Sequence, residues 1–141
     1  MLLSFAMRRL TLLLVEDDAG LRALLLRLLD TQFDILWAES GETAISLIES
    51  NCAIDLAITD FELQGVASGL DVAIALRKKF PSAPIILITG TLVGRPEVQR
   101  LLSMARTRLL KKPFDDIALN DALCSAEEYC IGATLSRDTS S

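Results

Sequence analysis

The sequence predicts a doubly wound α/β sandwich, in which a parallel sheet lies between two layers of helices. Three observations support this class: five short apolar runs typical of buried strands, a helical periodicity after each run, and strict alternation of the two. Such alternation favours right-handed crossovers and therefore a parallel sheet with helices on both faces. The 141 residues are about the length of one domain.

The first strand and helix show the pattern most clearly. Leu10–Val15 is a continuous apolar run, as expected for a strand buried on both faces of a parallel sheet. In residues 21–33 leucines recur at helical spacing, with Arg22 and Arg27 on the opposite side. The following units have predicted strands at residues 34–38, 54–59, 84–89 and 108–111, and predicted helices at residues 41–50, 69–80, 95–105 and 115–129.

The predicted domain covers residues 9–130. Residues 1–8 are predicted to be an N-terminal leader, because their apolar residues precede the basic ones, which is the reverse of a secretory signal. Residues 131–141 are mostly small and polar and are predicted to form a flexible tail. No apolar stretch approaches the roughly 20 residues of a membrane span. We therefore expect a cytoplasmic protein without membrane contact.

The composition excludes several classes of function. A net charge of -5 argues against a nucleic-acid surface, which needs clustered lysine and arginine. The chain has no histidine, so histidine-based triads and zinc sites are excluded, and any phosphohistidine must belong to a partner. Cys52, Cys124 and Cys130 lack metal-ligand spacing and lie in apolar, helix-like contexts. We expect them to be structural residues in a reducing compartment.

Acidic residues follow two of the predicted strands. Glu16, Asp17 and Asp18 lie just past the first strand, and Asp60 lies just past the third. In a flavodoxin-like sheet of order 2-1-3-4-5 these strands flank the switch point, where ligands bind at the carboxyl ends. Crowded carboxylates repel each other unless a hard cation such as Mg²⁺ lies between them. Asp18 also precedes a helix and is predicted to be its N-cap.

Two more polar side chains are expected at the same edge of the sheet. Thr89 ends the fourth strand, and Lys112 follows the fifth, directly before Pro113. A hydroxyl and an ammonium group there can bind and neutralise the oxygens of a phosphoryl group on Asp60. Taken alone, Thr89 could be an ordinary strand end and Lys112 a solvated charge. An X-Pro bond can be cis, and we predict a cis Lys112–Pro113 peptide that directs the lysine into the crevice.

Together these segments resemble the receiver domains of response regulators in two-component signalling, over about residues 9–130. LLLVEDDAGLR resembles the family's acidic-pair strand and first helix, LAITDFEL its phosphoacceptor strand, IILITG its hydroxyl strand, and LLKKPF its lysine and proline strand. The resemblance implies these roles: Asp60 as phosphoacceptor, Asp17 as a direct Mg²⁺ ligand, Glu16 as a ligand directly or through water, the carbonyl of Glu62 as a further ligand, and Thr89 and Lys112 as contacts to the phosphoryl oxygens.

The resemblance implies a signalling domain rather than an enzyme, with only self-catalysed phosphoryl transfer and hydrolysis of the aspartyl phosphate. The donor would be a histidine kinase or a histidine phosphotransfer protein, and an unidentified protein would receive the signal. A homodimer is compatible with this function. One alternative is a pseudo-receiver that binds proteins without phosphorylation. Another is a phosphatase of the haloacid dehalogenase type, which has a pair of acids two residues apart. The segment Asp60-Phe61-Glu62 of this chain matches that pattern only in part.

The chain also departs from the family pattern. Leu63-Gln64 stands where the family usually has a Met-Pro pair, and Gly69 comes nine residues after the acceptor instead of eight. We expect Gly65 and Gly69 to absorb the resulting change in the loop, because glycine tolerates positive φ. Leu109 replaces the aromatic that rotates inward on activation in this family. We therefore expect a weak response, or one relocated to residues 90–95.

Overall fold

The computed structural model describes residues 9–90 and 94–139, with side chains as far as residue 131. Strands and helices alternate throughout, as predicted. The strands are β1 (Leu10–Val15), β2 (Phe33–Ala38), β3 (Leu56–Asp60), β4 (Ile85–Thr89) and β5 (Thr107–Lys111). The helices are α1 (Ala19–Leu29), α2 (Gly41–Ser50), α3 (Gly69–Lys79), α4 (Pro96–Leu102) and α5 (Asp116–Thr139).

The five strands form one parallel sheet in the order β2-β1-β3-β4-β5. The predicted order is therefore confirmed, and the flavodoxin-like fold with it. β1 is paired with both β2 and β3, so the chain changes direction along the sheet between β1 and β3. Val15 of β1 lies opposite Thr59 of β3. This register brings the residues that follow β1 level with the end of β3, at the switch point where α/β proteins bind ligands.

The sheet is buried on both faces, which explains the continuous apolar run of β1. Leu13 and Val15 pack on the side covered by α2, α3 and α4. Leu12 and Leu14 pack on the side covered by α1 and α5. All four side chains are fully buried, and burial of each contributes about 1.5–3 kcal/mol relative to an exposed position.

Three helices begin at residues whose side chains form N-terminal caps. Asp18 caps α1 by accepting a hydrogen bond from the Gly20 N–H, which confirms the predicted N-cap. Ser40 caps α2. Ser68 and Asp71 form a capping box at the start of α3. These caps satisfy N–H groups that lack partners within the helix, and each contributes about 1 kcal/mol.

Two predicted helices end earlier than expected. α1 ends at Leu29, and Phe33 is the first residue of β2, where its ring is buried beneath the sheet. α4 ends at Leu102, a few residues before Arg106, which has a φ of 55°. A left-handed residue cannot continue a right-handed helix, so the chain turns there into β5.

The last helix is longer than predicted: α5 continues to Thr139, whereas the prediction ended at residue 129. Residues 131–139 contain no proline, and extending an existing helix adds one hydrogen bond for each residue fixed. The predicted boundary after residue 130 is therefore not the end of an element, while the flexibility of the tail stays a prediction. Residues 1–8, the predicted leader, lie outside the described residues. Within the described part of the chain, no helix is both long and apolar enough to cross a membrane.

Of the three cysteines, which were predicted to be structural, only Cys130 is buried. Its thiol lies 3.3 Å from the carbonyl oxygen of Asp55. Cys52 and Cys124 are exposed, so these two do not pack as small apolar residues in the core, and their structural role stays a prediction. Cys52 lies in the connection between α2 and β3 rather than in a helix, and Cys124 lies on the outer side of α5. An apolar sequence neighbourhood does not decide which face of a helix a single residue occupies.

Candidate functional site

The carboxyl ends of β1 and β3 bring three acidic side chains together. Glu16, Asp17 and Asp60 each offer a carboxylate oxygen, and these oxygens all lie within 4.8 Å of one another. Glu16 directly follows β1, and its N–H donates to the Ala38 carbonyl at 3.1 Å, which extends the pairing with β2 by one residue. Asp60 is the last residue of β3. The predicted convergence of these acids is therefore present.

Lys112 completes the cluster from the end of β5. Its Nζ donates to Asp60 Oδ2 at 2.8 Å and lies 3.7 Å from Glu16 Oε2. The Lys112–Pro113 peptide is cis, as predicted. Burial lowers the pKa of Lys112, but the hydrogen bond and charge of Asp60 and the charge of Glu16 outweigh it, so this pKa is raised. The ammonium group is therefore charged and directed at the proposed acceptor.

Glu16 is fully buried, and only one of its carboxylate oxygens is hydrogen-bonded. Oε1 accepts from the Asp18 N–H at 3.2 Å, whereas Oε2 has no hydrogen-bond partner among the described residues. Burial, followed by the charge of Asp60, raises the pKa of Glu16 to about 7. A buried carboxylate without full hydrogen bonding is costly unless a cation compensates it. Glu16 Oε2 has the Lys112 ammonium 3.7 Å away but no hydrogen bond among the described residues. This oxygen and the oxygen-only donor set fit a hard cation, which makes this cluster a candidate metal site.

The other predicted site residues lie around Asp60. Asp60 is only 3% exposed, and its Oδ1 accepts from the Glu62 N–H at 3.1 Å. The side chain of Glu62 is exposed, and its carbonyl as a metal ligand stays a prediction. Thr89 is fully buried at the end of β4, opposite Lys111 of β5. Its predicted contact with a phosphoryl group also stays a prediction.

The loop between β3 and α3 is held by an acid that the sequence reasoning missed. Glu42, in the first turn of α2, accepts hydrogen bonds from the N–H groups of Val66 at 2.8 Å and Ala67 at 2.7 Å. The hydrogen bond from Ala67 is the largest cause of a lowered pKa at Glu42. In the sequence, Glu42 looks like an ordinary first-turn acid, since only the folded chain brings this loop to it. The Gln64 N–H also donates to Asp17 Oδ2 at 3.2 Å, which ties the loop to the acidic cluster.

The two glycines of this loop have different roles. Gly65 has a φ of 99°, so it provides the positive φ that was expected. Gly69 has no such φ and instead allows close packing. A Cβ there would lie 2.5 Å from the Asp60 carbonyl oxygen and 2.7 Å from the Phe61 Cα. Any side chain at this position would displace the backbone that carries Asp60.

Leu109, which stands in the place of the expected aromatic, is half-buried and packs against the core on the α2, α3 and α4 side. The predicted relocation of the response involves residues 90–95. Residues 91–93 of that segment lie outside the described residues.

The fold and the site define a doubly wound α/β domain whose switch point holds three carboxylates and a lysine. The family model described as response regulator receiver domain matches residues 12–124. The chain therefore belongs to the response regulator receiver family, as the sequence motifs indicated.

Curated relatives agree with this assignment. The chain is 32% identical over 126 residues to the transcriptional regulatory protein GlrR of Escherichia coli (strain K12), a match that covers 87% of this chain and 27% of the relative. It thus spans about a quarter of that protein's length. A chemotaxis protein CheY homolog of Campylobacter jejuni subsp. jejuni is 31% identical over 116 residues, covering 79% of this chain and 88% of the relative.

Solved structures show the same architecture. A response regulator receiver protein from Sinorhizobium medicae WSM419 superposes with a TM-score of 0.73 at 27% identity, covering 87% of this chain and 95% of that one. A chain described as adenylate cyclase from Rhodopirellula baltica has a TM-score of 0.82 at 22% identity, covering 94% and 97% of the two chains. The latter likeness concerns the fold alone.

Proposed function

We propose that the chain accepts a phosphoryl group on Asp60 from a phosphohistidine of a histidine kinase or a histidine phosphotransfer protein, in a Mg²⁺-dependent phosphorelay. The observation that carries this proposal is the Lys112 ammonium 2.8 Å from Asp60, inside a crevice that also holds two further carboxylates. A phosphoryl group on Asp60 would bring additional negative charge. Lys112 is already placed to neutralise it.

In the transfer step, a carboxylate oxygen of Asp60 forms a bond to phosphorus while the P–N bond to the partner's imidazole breaks. The electron pair of that bond returns to the imidazole nitrogen. Lys112 then exchanges its contact with the carboxylate for one with a phosphoryl oxygen, and the Thr89 hydroxyl can donate to another. Bound Mg²⁺ would be held by Asp17, Asp60, the carbonyl of Glu62 and, directly or through water, Glu16. It would neutralise charge on the phosphoryl oxygens.

The aspartyl phosphate is a mixed anhydride, so hydrolysis returns the domain to its resting state. A cytoplasmic location is part of this proposal, because the cysteines were predicted to lie in a reducing compartment. A downstream protein target and a homodimer stay predictions. The haloacid dehalogenase alternative places its acceptor after the first strand, whereas Asp60 ends β3. The pseudo-receiver alternative has no specific support, because acids and lysine are all in place.

Mass spectrometry after incubation with acetyl phosphate and Mg²⁺ tests the proposal. The wild type should gain the mass of one phosphoryl group, and Asp60→Asn should gain none. Asp18→Asn is a matched control, because Asp18 caps α1 and lies outside the acidic cluster. This variant should be labelled like the wild type. Equal labelling of Asp60→Asn at a nearby acid would contradict the assignment, and a wild type that takes up no phosphate would favour the pseudo-receiver.

A further inference from the structure

Arg22 on α1 contacts the backbone of the residue that carries the buried carboxylate. Its Nη1 donates to the carbonyl oxygen of Glu16 at 2.9 Å. The guanidinium carbon of the same side chain lies 4.8 Å from the centroid of the Trp37 ring on β2. The Glu16 N–H donates to the Ala38 carbonyl of β2. The backbone groups of Glu16 are thus held on one side by β2 and on the other by Arg22.

These contacts join three segments that are distant in sequence. Arg22 comes from α1, Glu16 from the turn after β1, and Trp37 from the edge strand β2. Arg22 is half-buried, and Trp37, the single tryptophan of the chain, is 46% exposed. An exposed tryptophan on an edge strand contributes little to the core. Its ring instead supplies a flat face on which the guanidinium group rests.

The position of the Glu16 peptide matters because the side chain has little freedom of its own. The side chain is fully buried, so its carboxylate reaches a cation in the crevice only when the turn holds the backbone in place. Asp17 is the next residue of the same turn, so the position of its carboxylate also depends on the backbone at Glu16. Arg22 donates to a carbonyl rather than to a carboxylate, so it does not compete with a cation for the carboxylate oxygens.

We propose that Arg22 is a positioning residue for the metal site, which clamps the Glu16–Asp17 turn between α1 and the Trp37 ring. This inference rests on the proposed function, since it takes Mg²⁺ as the ligand. Groups that orient metal ligands typically change metal affinity by about 10–100-fold when removed. Lysine should replace arginine only in part, because an ammonium group can donate to the carbonyl but lacks the planar face that stacks on an aromatic ring.

Calorimetric titration with Mg²⁺, carried out well below the unfolding temperature, tests the clamp. Arg22→Met keeps the length and apolar character of the side chain but removes the donors, and we expect Kd to rise about tenfold. Arg22→Lys should recover part of this loss. Arg27→Met is the matched control, because Arg27 lies on the same helix and is exposed. Its Kd should equal that of the wild type.

The tryptophan gives a second, independent readout. Trp37→Leu removes the stacking surface but leaves the hydrogen bond, so we expect a rise in Kd of about threefold. In the double variant Arg22→Met/Trp37→Leu, Kd should match that of Arg22→Met alone, because the ring acts through the arginine. Tryptophan emission of the metal-free protein should change in Arg22→Met and stay constant in Arg27→Met.

Several results would overturn the inference. One is wild-type Mg²⁺ affinity in Arg22→Met, and another is an equal loss in Arg27→Met, which would point to net charge rather than position. Effects of Arg22→Met and Trp37→Leu that multiply in the double variant would also overturn it, since the two residues would then act separately. A wild type that binds no Mg²⁺ would instead refute the metal dependence of the proposed function itself, and the clamp with it.

Discussion

Glu16→Gln removes a buried charge while keeping the shape of the side chain, and its effect on stability should depend on pH. In the folded, metal-free protein, burial and the charge of Asp60 raise the pKa of Glu16 from 4.5 to about 7. The folded state therefore binds more protons than the unfolded state between these two values. Protonation of Glu16 therefore favours the folded state over the unfolded state. This contribution to the free energy of unfolding is fully present below pH 4.5 and is lost as the pH rises through about 7.

The size of the effect follows from the shift in pKa. One pKa unit corresponds to about 1.4 kcal/mol, so the raised pKa of Glu16 should cost the wild type about 2–3 kcal/mol of stability between pH 5 and pH 8. Glutamine does not ionise and avoids this loss. The free energy of unfolding of Glu16→Gln should therefore rise by about that amount relative to the wild type over the same range.

Urea unfolding in the presence of a chelator, at several values between pH 5 and pH 8, measures this difference. Exposed Glu49 offers the control variant Glu49→Gln, whose stability should follow the wild-type pH dependence. Mg²⁺ should restore wild-type stability at pH 8 and have a smaller effect at pH 5, because only the ionised carboxylates bind it well. Parallel curves for the wild type and Glu16→Gln would show that Glu16 keeps an ordinary pKa in the folded protein.

Three further predictions concern the same site. Mg²⁺ should raise the unfolding temperature of the wild type, because it binds only the native state, and Asp17→Asn should remove most of this rise; an identical rise in both proteins would exclude Asp17 as a ligand. Gly69→Ala should destabilise the fold by about 1–3 kcal/mol and reduce phosphorylation, since its Cβ would meet backbone at 2.5 Å. Gly20→Ala, with its nearest contact at 3.6 Å in α1, should be neutral or stabilising in the same urea experiment. Because Leu109 replaces the usual aromatic, the phosphoryl mimic beryllofluoride should change hydrogen exchange weakly in β5 and α5 and more strongly in residues 90–95; the reverse pattern would show that the ordinary switch operates without its aromatic.

The sequence alone was enough to predict the fold and the set of residues at its switch point. Apolar runs and helical periodicity are local patterns, and in a parallel sheet they determine which residues lie at the carboxyl ends of the strands. The strand order, which was taken from the flavodoxin-like class and not from these local patterns, is confirmed. The Asp18 cap, the cis peptide before Pro113 and the convergence of Asp60 with Lys112 are confirmed because the patterns located the ends of the elements. Each depends on a residue's place at the end of an element rather than on the packing of its side chain.

Only the tertiary structure decided which of these groups are buried, which are paired and what holds them. Three contacts each join segments far apart in the chain: the ion pair of Glu16 with Lys112, the hydrogen bond from Val66 to Glu42, and the contact of Arg22 with Trp37. The end of α1 before Phe33 and the exposure of Cys124 were also set by packing. A local pattern shows that a residue is apolar or charged. Its environment depends on which distant segments fold against it, because burial and hydrogen bonding are properties of the assembled neighbours.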